Sequence, residues 1–384
     1  MNNSVGNGTD YDHVSSPPIS DYLQTFFILL YGIIVIIAIG GNTIVCYLIY
    51  AYKRMHTIPN YFIVNLAISD IIMAIFCIPF TFVANLMLNY WPFGEVMCPI
   101  VTYLQVVAVF LSAFTLVAMS LDRYIVIVHP FKKRITARKT GFVLLGIWTL
   151  SLTIPLPTLL QSKLVYYSNT SGVCLEPWED FTAKYAYSLI IMILHYFGPL
   201  VVLVFCYSKI GYNIWMKNIQ GDERNKRRLQ LASAKQRLIK MMATVVIFYA
   251  LCWLPLHVVT LVGEQDPTIY NSPHMPVVWV FCHWLAMSNS CYNPIIYIYM
   301  SPKFRTGLKL AVQKCARMRK QSMNCDSDDD DTQVKGQHKQ MILKMELKPS
   351  KSCPLKGRNG NCQLMFEKIL SEEYMMPASI HSDT

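Results

Sequence analysis

Cys98-Pro-Ile-Val-Thr-Tyr-Leu-Gln-Val-Val-Ala-Val-Phe-Leu-Ser-Ala-Phe-Thr-Leu-Val-Ala-Met-Ser-Leu121 runs straight into Asp122-Arg123-Tyr124 and ends at His129. Between Glu95 and Asp122 the stretch carries no formal charge. It is long enough to cross a bilayer with tilt to spare. A soluble protein can bury a helix this apolar, but rarely one this long. A cysteine stands at one end and an acid–base–aromatic triplet at the other, so the two ends meet different surroundings.

The rest of the chain repeats the pattern without repeating the sequence. Of 384 residues 53% are hydrophobic and 15% charged, against about 25% charged in soluble domains. Seven long apolar segments are legible: 23–50, 61–88, 98–128, 141–160, 185–215, 238–262 and 275–300. In lipid each must be a helix, because only a helix satisfies its own backbone groups there. The fold class expected is therefore an all-α membrane protein, a seven-helix bundle over residues 23–300.

Charge orients the bundle. The formal net charge is +11, and the bases gather in alternate loops: Lys53 and Arg54, Lys132 to Lys139, Lys217 to Lys240, and Lys303 to Lys314. The opposite loops carry Glu95, Glu176, Glu179, Asp180, Glu264 and Asp266. The positive-inside rule puts the N-terminus outside and the C-terminus in the cytoplasm of a multi-pass plasma-membrane protein. Bases placed this way orient helices and call for no nucleic-acid partner. Residues 1–20 have no basic start and no apolar core, so the first apolar segment is expected to act as the insertion signal. The tail 1–22 and one outer loop hold the glycosylation acceptors Asn2, Asn7 and Asn169, all on the outer side.

Of twelve cysteines, Cys98 and Cys174 alone face outward in this topology, and a disulfide between them would pin an outer loop over the bundle. After Ser301-Pro302, residues 301–316 place Phe304, Leu308, Ala311, Val312 and Cys315 at helical spacing among bases. That reads as a short amphipathic helix on the inner leaflet, a contact with membrane lipid. Cys315 is either a palmitoylation site or a free thiol. Residues 317–384, with the acid run Asp326 to Asp331, read as a disordered cytoplasmic tail.

Polar side chains at bilayer depth are costly and need a reason. Asp70 is the acid deep in the second segment; Asn42, Ser112, Asn289, Ser290 and Asn293 lie in others. Asn289, Asn293 and Tyr297 share a helix face, and Pro294 must leave a carbonyl free. These residues serve as interhelical glue, as a hydrated network that rearranges between two packings, or as both.

The motifs Gly41-Asn42, Leu66-Ala-Ile-Ser-Asp70, Trp91 before Cys98, Asp122-Arg123-Tyr124, Trp148, Cys174, Pro199 with Tyr207, Cys252-Trp253-Leu254-Pro255 and Asn293-Pro294-Ile-Ile-Tyr297 occur in this order, each in its own segment or loop. Over residues 23–317 the chain resembles a rhodopsin-type G protein-coupled receptor. The resemblance implies that Asp122 holds Arg123 at rest and that Arg123 meets a heterotrimeric G protein when active. Tyr124 belongs to the same triplet, and Tyr207 and Tyr297 would support the active state. Trp253 would lie beneath the ligand, with Pro255 as the hinge of its helix. Asp70, Ser112, Asn289, Ser290 and Asn293 would line a pocket for an allosteric sodium ion, with no other cofactor. Arrestin and receptor kinases are further implied partners. Two departures stand out. Lys235 replaces an acid that in some relatives holds Arg123, and Ala113 and Tyr249 stand where many relatives have Ile and Phe.

Gln105 removes the acid that amine receptors use, and Met287 the lysine that opsins need. The acids Glu176, Glu179, Asp180, Glu264 and Asp266 suit a cationic ligand, although solvated loop acids need no such role. Gln105, His257, Thr260, His283 and Trp284 add amides, rings and donors. An amidated neuropeptide ending in Arg-aromatic-amide fits this set, with Glu264 or Asp266 pairing its arginine. Gln105, Tyr90-Trp-Pro-Phe-Gly94 and Leu121 to Pro130 resemble neuropeptide Y-type receptors and their RYamide, luqin and neuropeptide F relatives. The chain has no phosphate loop, metal cluster or nucleophile constellation, so no enzyme is expected. A receptor of this type for a different peptide or a small ligand is the nearest alternative. A transporter is the other; it would be expected to show paired halves, and the segments here do not pair.

Overall fold

A computed structural model describes residues 20–132, 135–167, 171–219, 226–314 and 316–317. Asn2, Asn7, Asn169 and Cys315 lie outside these residues. The side chain of Lys235 lies outside what is described as well.

Six helices among the described residues are long and apolar enough to cross a membrane: Asp21–Ala51, Ile58–Leu88, Met97–Val128, Ala137–Gln161, Phe181–Ile214 and Gln236–Gln265. The helix holding the last begins earlier, at Lys226. The seventh expected span is the 26-residue helix Met275–Met300. At about 1.5 Å per residue it is longer than the roughly 30 Å of a bilayer's hydrocarbon. It is the least apolar of the seven because His283, Ser288, Asn289, Ser290 and Asn293 are buried within it, where protein rather than lipid receives them. The spans follow the sequence expectation to within a few residues at most ends.

Prolines shape the spans from inside. A proline cannot donate to the carbonyl four residues before it, and its ring crowds that carbonyl. Pro79 follows a π turn at Met73–Cys77, and Pro199 follows one at Ile193–Phe197. Two carbonyls released in this way are used. His195 accepts the Tyr249 hydroxyl at 2.5 Å, and Ser290, four before Pro294, accepts Asn42 Nδ2 at 2.9 Å. Gly41 is required beside that second joint, since a Cβ there would sit 2.7 Å from Pro294 Cγ.

The outer loops add what an all-α reading leaves out: a two-stranded antiparallel hairpin, β1 (Lys163–Tyr166) with β2 (Gly172–Leu175). Each strand has four residues, too short for periodicity to reveal. The Cys98–Cys174 disulfide fastens β2 to the head of the third span. Trp91 reinforces it, its backbone N–H donating to Gly172 O at 2.8 Å and its ring packing with Ala84, Cys98 and Val101.

Residues up to Arg305 form one compact unit, and the described residues from Thr306 fall outside it. Phe304 belongs to the first unit, buried and stacked 5.7 Å from the Tyr297 ring. Residues 302–314 are helical.

Candidate functional site

Three polar regions lie along the bundle. The outermost is the acidic rim. Glu176, just after β2, is half-buried and accepts Trp178 Nε1 at 3.2 Å. Burial pushes its carboxyl above the usual range; the Trp178 bond and Lys184 oppose that, and nearby Glu264 adds to it. Glu264 ends the sixth span with its Oε2 buried and without a hydrogen-bond partner. The other acids are differently employed. Asp180 is exposed and caps the fifth span by accepting Thr182 N at 2.8 Å. Asp266 is exposed and caps the turn Pro267–Asn271, and its bonds from Thr268 hold its carboxyl below the usual range. Glu179 is exposed.

Deeper in the spans five ring nitrogens are buried, those of His195, Trp253 and His257 on rings packed against one another. His195 Nδ1, Trp253 Nε1, His257 Nε2, His283 Nε2 and Trp284 Nε1 are all buried without a partner. Tyr31 fixes His283, its hydroxyl lying 2.7 Å from Nδ1, while Trp279 stacks on the ring at 4.9 Å. Thr260 spends its proton on Leu256 O. Gln105 has other neighbours. It lines a cavity of about 350 Å³ with Thr81, Asn85, Trp91, Thr102 and Cys174, and Thr81 Oγ1 donates to its Oε1 at 3.5 Å.

The middle region centres on Asp70, which is 2% exposed and accepts Asn293 Nδ2 at 2.8 Å. Ser112 and Ser69 share a hydrogen bond at 2.8 Å, and Asn289 Oδ1 is a buried acceptor with no partner. One carboxylate with hydroxyl and amide oxygens, one of them unsatisfied, is a donor set that fits a hard cation. Nearby, Asn65 links three spans, receiving Trp148 Nε1 at 2.8 Å and donating to Thr115 Oγ1 at 2.7 Å.

The inner region holds Arg123 against its neighbour Asp122, Nε to Oδ2 at 2.9 Å, with Nη2 on the same oxygen. Tyr124 packs near His129 and Phe205. Tyr207 OH receives Ser120 Oγ at 3.3 Å, and Tyr297 OH is buried without a partner. Ile239 of the sixth span packs against Ile127 and Ile210 of the third and fifth.

Tyr249 explains one departure noted in the sequence. Where an apolar ring is usual, its hydroxyl ties the sixth span to His195 of the fifth, and Tyr196 OH returns the tie to Ala250 O at 2.8 Å. Pro255 lies six residues further out on the same helix, so Tyr249 belongs to the half that a hinge there would move.

Sequence reasoning passed over Tyr31, Trp178, His195 and Tyr196. His195 was detectable, as an ionisable ring inside an apolar segment. The two tyrosines were not, because a phenol in a span reads as ordinary packing until its partner is seen.

The family "7 transmembrane receptor (rhodopsin family)" matches residues 41–297. The RYamide receptor of Drosophila melanogaster is 41% identical over 318 residues, covering 81% of this chain and 68% of the fly protein. The RYamide receptor of Tribolium castaneum is 39% identical over 290 residues, 72% of this chain and 78% of the beetle protein. The Substance-K receptor of Bos taurus is 38% identical over 288 residues, 74% of each chain. The chain is a multi-pass membrane protein and belongs to the rhodopsin family of seven-transmembrane receptors.

Proposed function

We propose that this chain is a neuropeptide-activated G protein-coupled receptor whose ligand ends in Arg-aromatic-amide. The observation that carries the reading is the unpartnered buried Oε2 of Glu264 above five unpartnered ring nitrogens. A guanidinium at the rim with an aromatic amide below it meets both needs. Relatives named for RYamide support the same ligand class. Glu264 leads the arginine contact, with Glu176 beside it. Asp180 and Asp266 contribute field rather than contact, since each is engaged as a cap.

The ligand acts by binding one packing better than another. In the resting packing Arg123 is held by Asp122 and the inner end is shut by Ile239. The active packing swings the sixth span about Pro255 and presents Arg123, Tyr207 and Tyr297 to a heterotrimeric G protein, with arrestin and receptor kinases following. The N-terminus faces outside and the C-terminus the cytoplasm of the plasma membrane. Sodium at Asp70, Ser112, Asn289, Ser290 and Asn293 favours the resting packing; that ion supplies only charge, and the protein groups do the rest.

The test is calcium and cyclic AMP signalling in cells expressing the receptor, challenged with amidated peptides. Glu264→Gln should cost about 2–5 kcal/mol of apparent binding for an Arg-aromatic-amide peptide and little for one with citrulline at the arginine. Unchanged potency in Glu264→Gln removes the arginine contact. Silence toward every amidated peptide removes the ligand class.

A further inference from the structure

We infer that Tyr270, in the loop between the sixth and seventh spans, is a further specificity residue: its ring receives the face of a bound guanidinium while Glu264 takes the edge. This rests on the Glu264 contact proposed above and adds a residue to it. The observation behind it is a glycine. Gly263 lies in the last turn of the helix Lys226–Gln265, where alanine would be the better helix former. Among the described residues Gly94 is the glycine with positive φ, so no left-handed turn demands a glycine at 263. What demands it is Tyr270. A Cβ on Gly263 would sit 2.5 Å from both Cε2 and Cζ of that ring, with the hydroxyl nearer still. The phenol therefore lies on the bare backbone of the sixth span.

The loop holds the ring there. Asp266 N donates to Val262 O at 2.8 Å, and the Asp266 carboxylate accepts Thr268 N at 3.1 Å. Ile269 N donates to Asp266 O, Ser272 N to Ile269 O and Met275 N to Ser272 O, at 3.3, 3.1 and 3.0 Å. These bonds run in succession from the end of the sixth span to the head of the seventh, so the turn Pro267–Asn271 is braced from both sides. Residues 263 and 264 are about 100° apart around a helix. A ring covering the first has the carboxylate of the second as its neighbour. The electrostatics agree: burial pushes the Tyr270 hydroxyl above its usual value, and Glu264 adds to that. Tyr270 is still 41% exposed, so an incoming group reaches the ring from the outer side and no cavity has to open.

The chemistry selects the group. A carboxylate with an unpartnered oxygen beside an exposed ring draws a cation. A guanidinium is planar, weakly hydrated and carries its donors along the edge, so it stacks on a ring and binds a carboxylate at the same time. An ammonium is compact and strongly hydrated; it pairs with the acid but gains less from the ring. An uncharged ureido group keeps the plane and loses the charge that the ring face attracts.

Three peptides identical except for arginine, lysine or citrulline before the terminal aromatic amide are titrated on the intact receptor, on Tyr270→Phe, Tyr270→Ala and Gly263→Ala, and on Gly263→Ala combined with Tyr270→Ala. Surface expression is measured in parallel. Tyr270→Ala should lower the potency of the arginine peptide about 3–30-fold, that of the lysine peptide less, and that of the citrulline peptide within about twofold. Tyr270→Phe keeps the ring and should stay within about threefold of wild type. Gly263→Ala displaces the ring from its seat and should reproduce Tyr270→Ala, and the combined variant should be no worse than either alone. An undiminished arginine-over-lysine ratio in Tyr270→Ala, or losses that add in the combined variant, overturns the inference and leaves the Glu264 contact standing. Equal potency of the arginine and citrulline peptides on wild type removes the Glu264 contact and the inference with it.

Discussion

Tyr249→Phe tests how the resting packing is held. The substitution removes one oxygen and keeps the ring, which is 1% exposed. It deprives the His195 carbonyl of the Tyr249 hydroxyl at 2.5 Å, and Pro199 has no N–H to offer that carbonyl in exchange. A buried acceptor losing its partner costs about 1–3 kcal/mol. With the proposed hinge at Pro255, Tyr249 is on the moving side, so the bond belongs to the resting packing and the cost falls there. The active-to-resting ratio should then rise about 5–150-fold. In membranes, agonist-free GTP exchange should increase and peptide potency should improve, with surface expression kept. Tyr196→Phe, which frees Ala250 O, should act in the same direction. Lower or unchanged basal exchange in a well-expressed Tyr249→Phe receptor would refute the reasoning.

Further outcomes follow from other contacts. Cys98→Ser and Cys174→Ser release β2 from the third span and should each cut peptide binding and surface expression; normal values for both would remove the hairpin from the site. Gly41→Ala places a methyl against Pro294 and should destabilise the fold by an overpacking cost of about 1–3 kcal/mol, read as a lower midpoint in thermal denaturation in detergent. Burial raises the Glu176 carboxyl, so the folded protein keeps that proton to higher pH than the unfolded chain, and this part of the stability is lost as pH rises from the usual carboxylate range to the raised value. A ligand guanidinium needs the ionised form. Affinity should therefore fall as pH drops through that value, and Glu176→Gln should remove this part of the pH profile. Asp70→Asn should abolish any sodium dependence of agonist binding, measured by displacement in sodium against choline; persistent dependence would place the ion elsewhere.

The spans were legible because lipid enforces long uncharged segments, and the polar centre because Asp70 and its partners break that rule. The proline at 294 forecast a freed carbonyl, and Asn42 fills the one at Ser290. What stayed hidden depends on pairing across the bundle. Nothing in the local sequence tells that Tyr249 reaches His195, that Tyr31 holds His283, or that His195 and His257 meet. The acids of the rim read alike in sequence. The structure separates Asp180 and Asp266, engaged as caps, from Glu264, whose oxygen is unpaired. The hairpin escaped because its strands are short and its geometry is fixed by a disulfide to a distant span.

The most direct measurement labels exposed Lys132 and Arg237, near the inner ends of the third and sixth spans, and reads their separation by electron spin resonance in lipid discs. Adding an Arg-aromatic-amide peptide should lengthen that distance and accelerate nucleotide exchange on an added G protein, with Glu264→Gln blunting both at matched peptide concentration. A distance that stays fixed at saturating peptide while exchange still accelerates would contradict the proposed opening at Arg123.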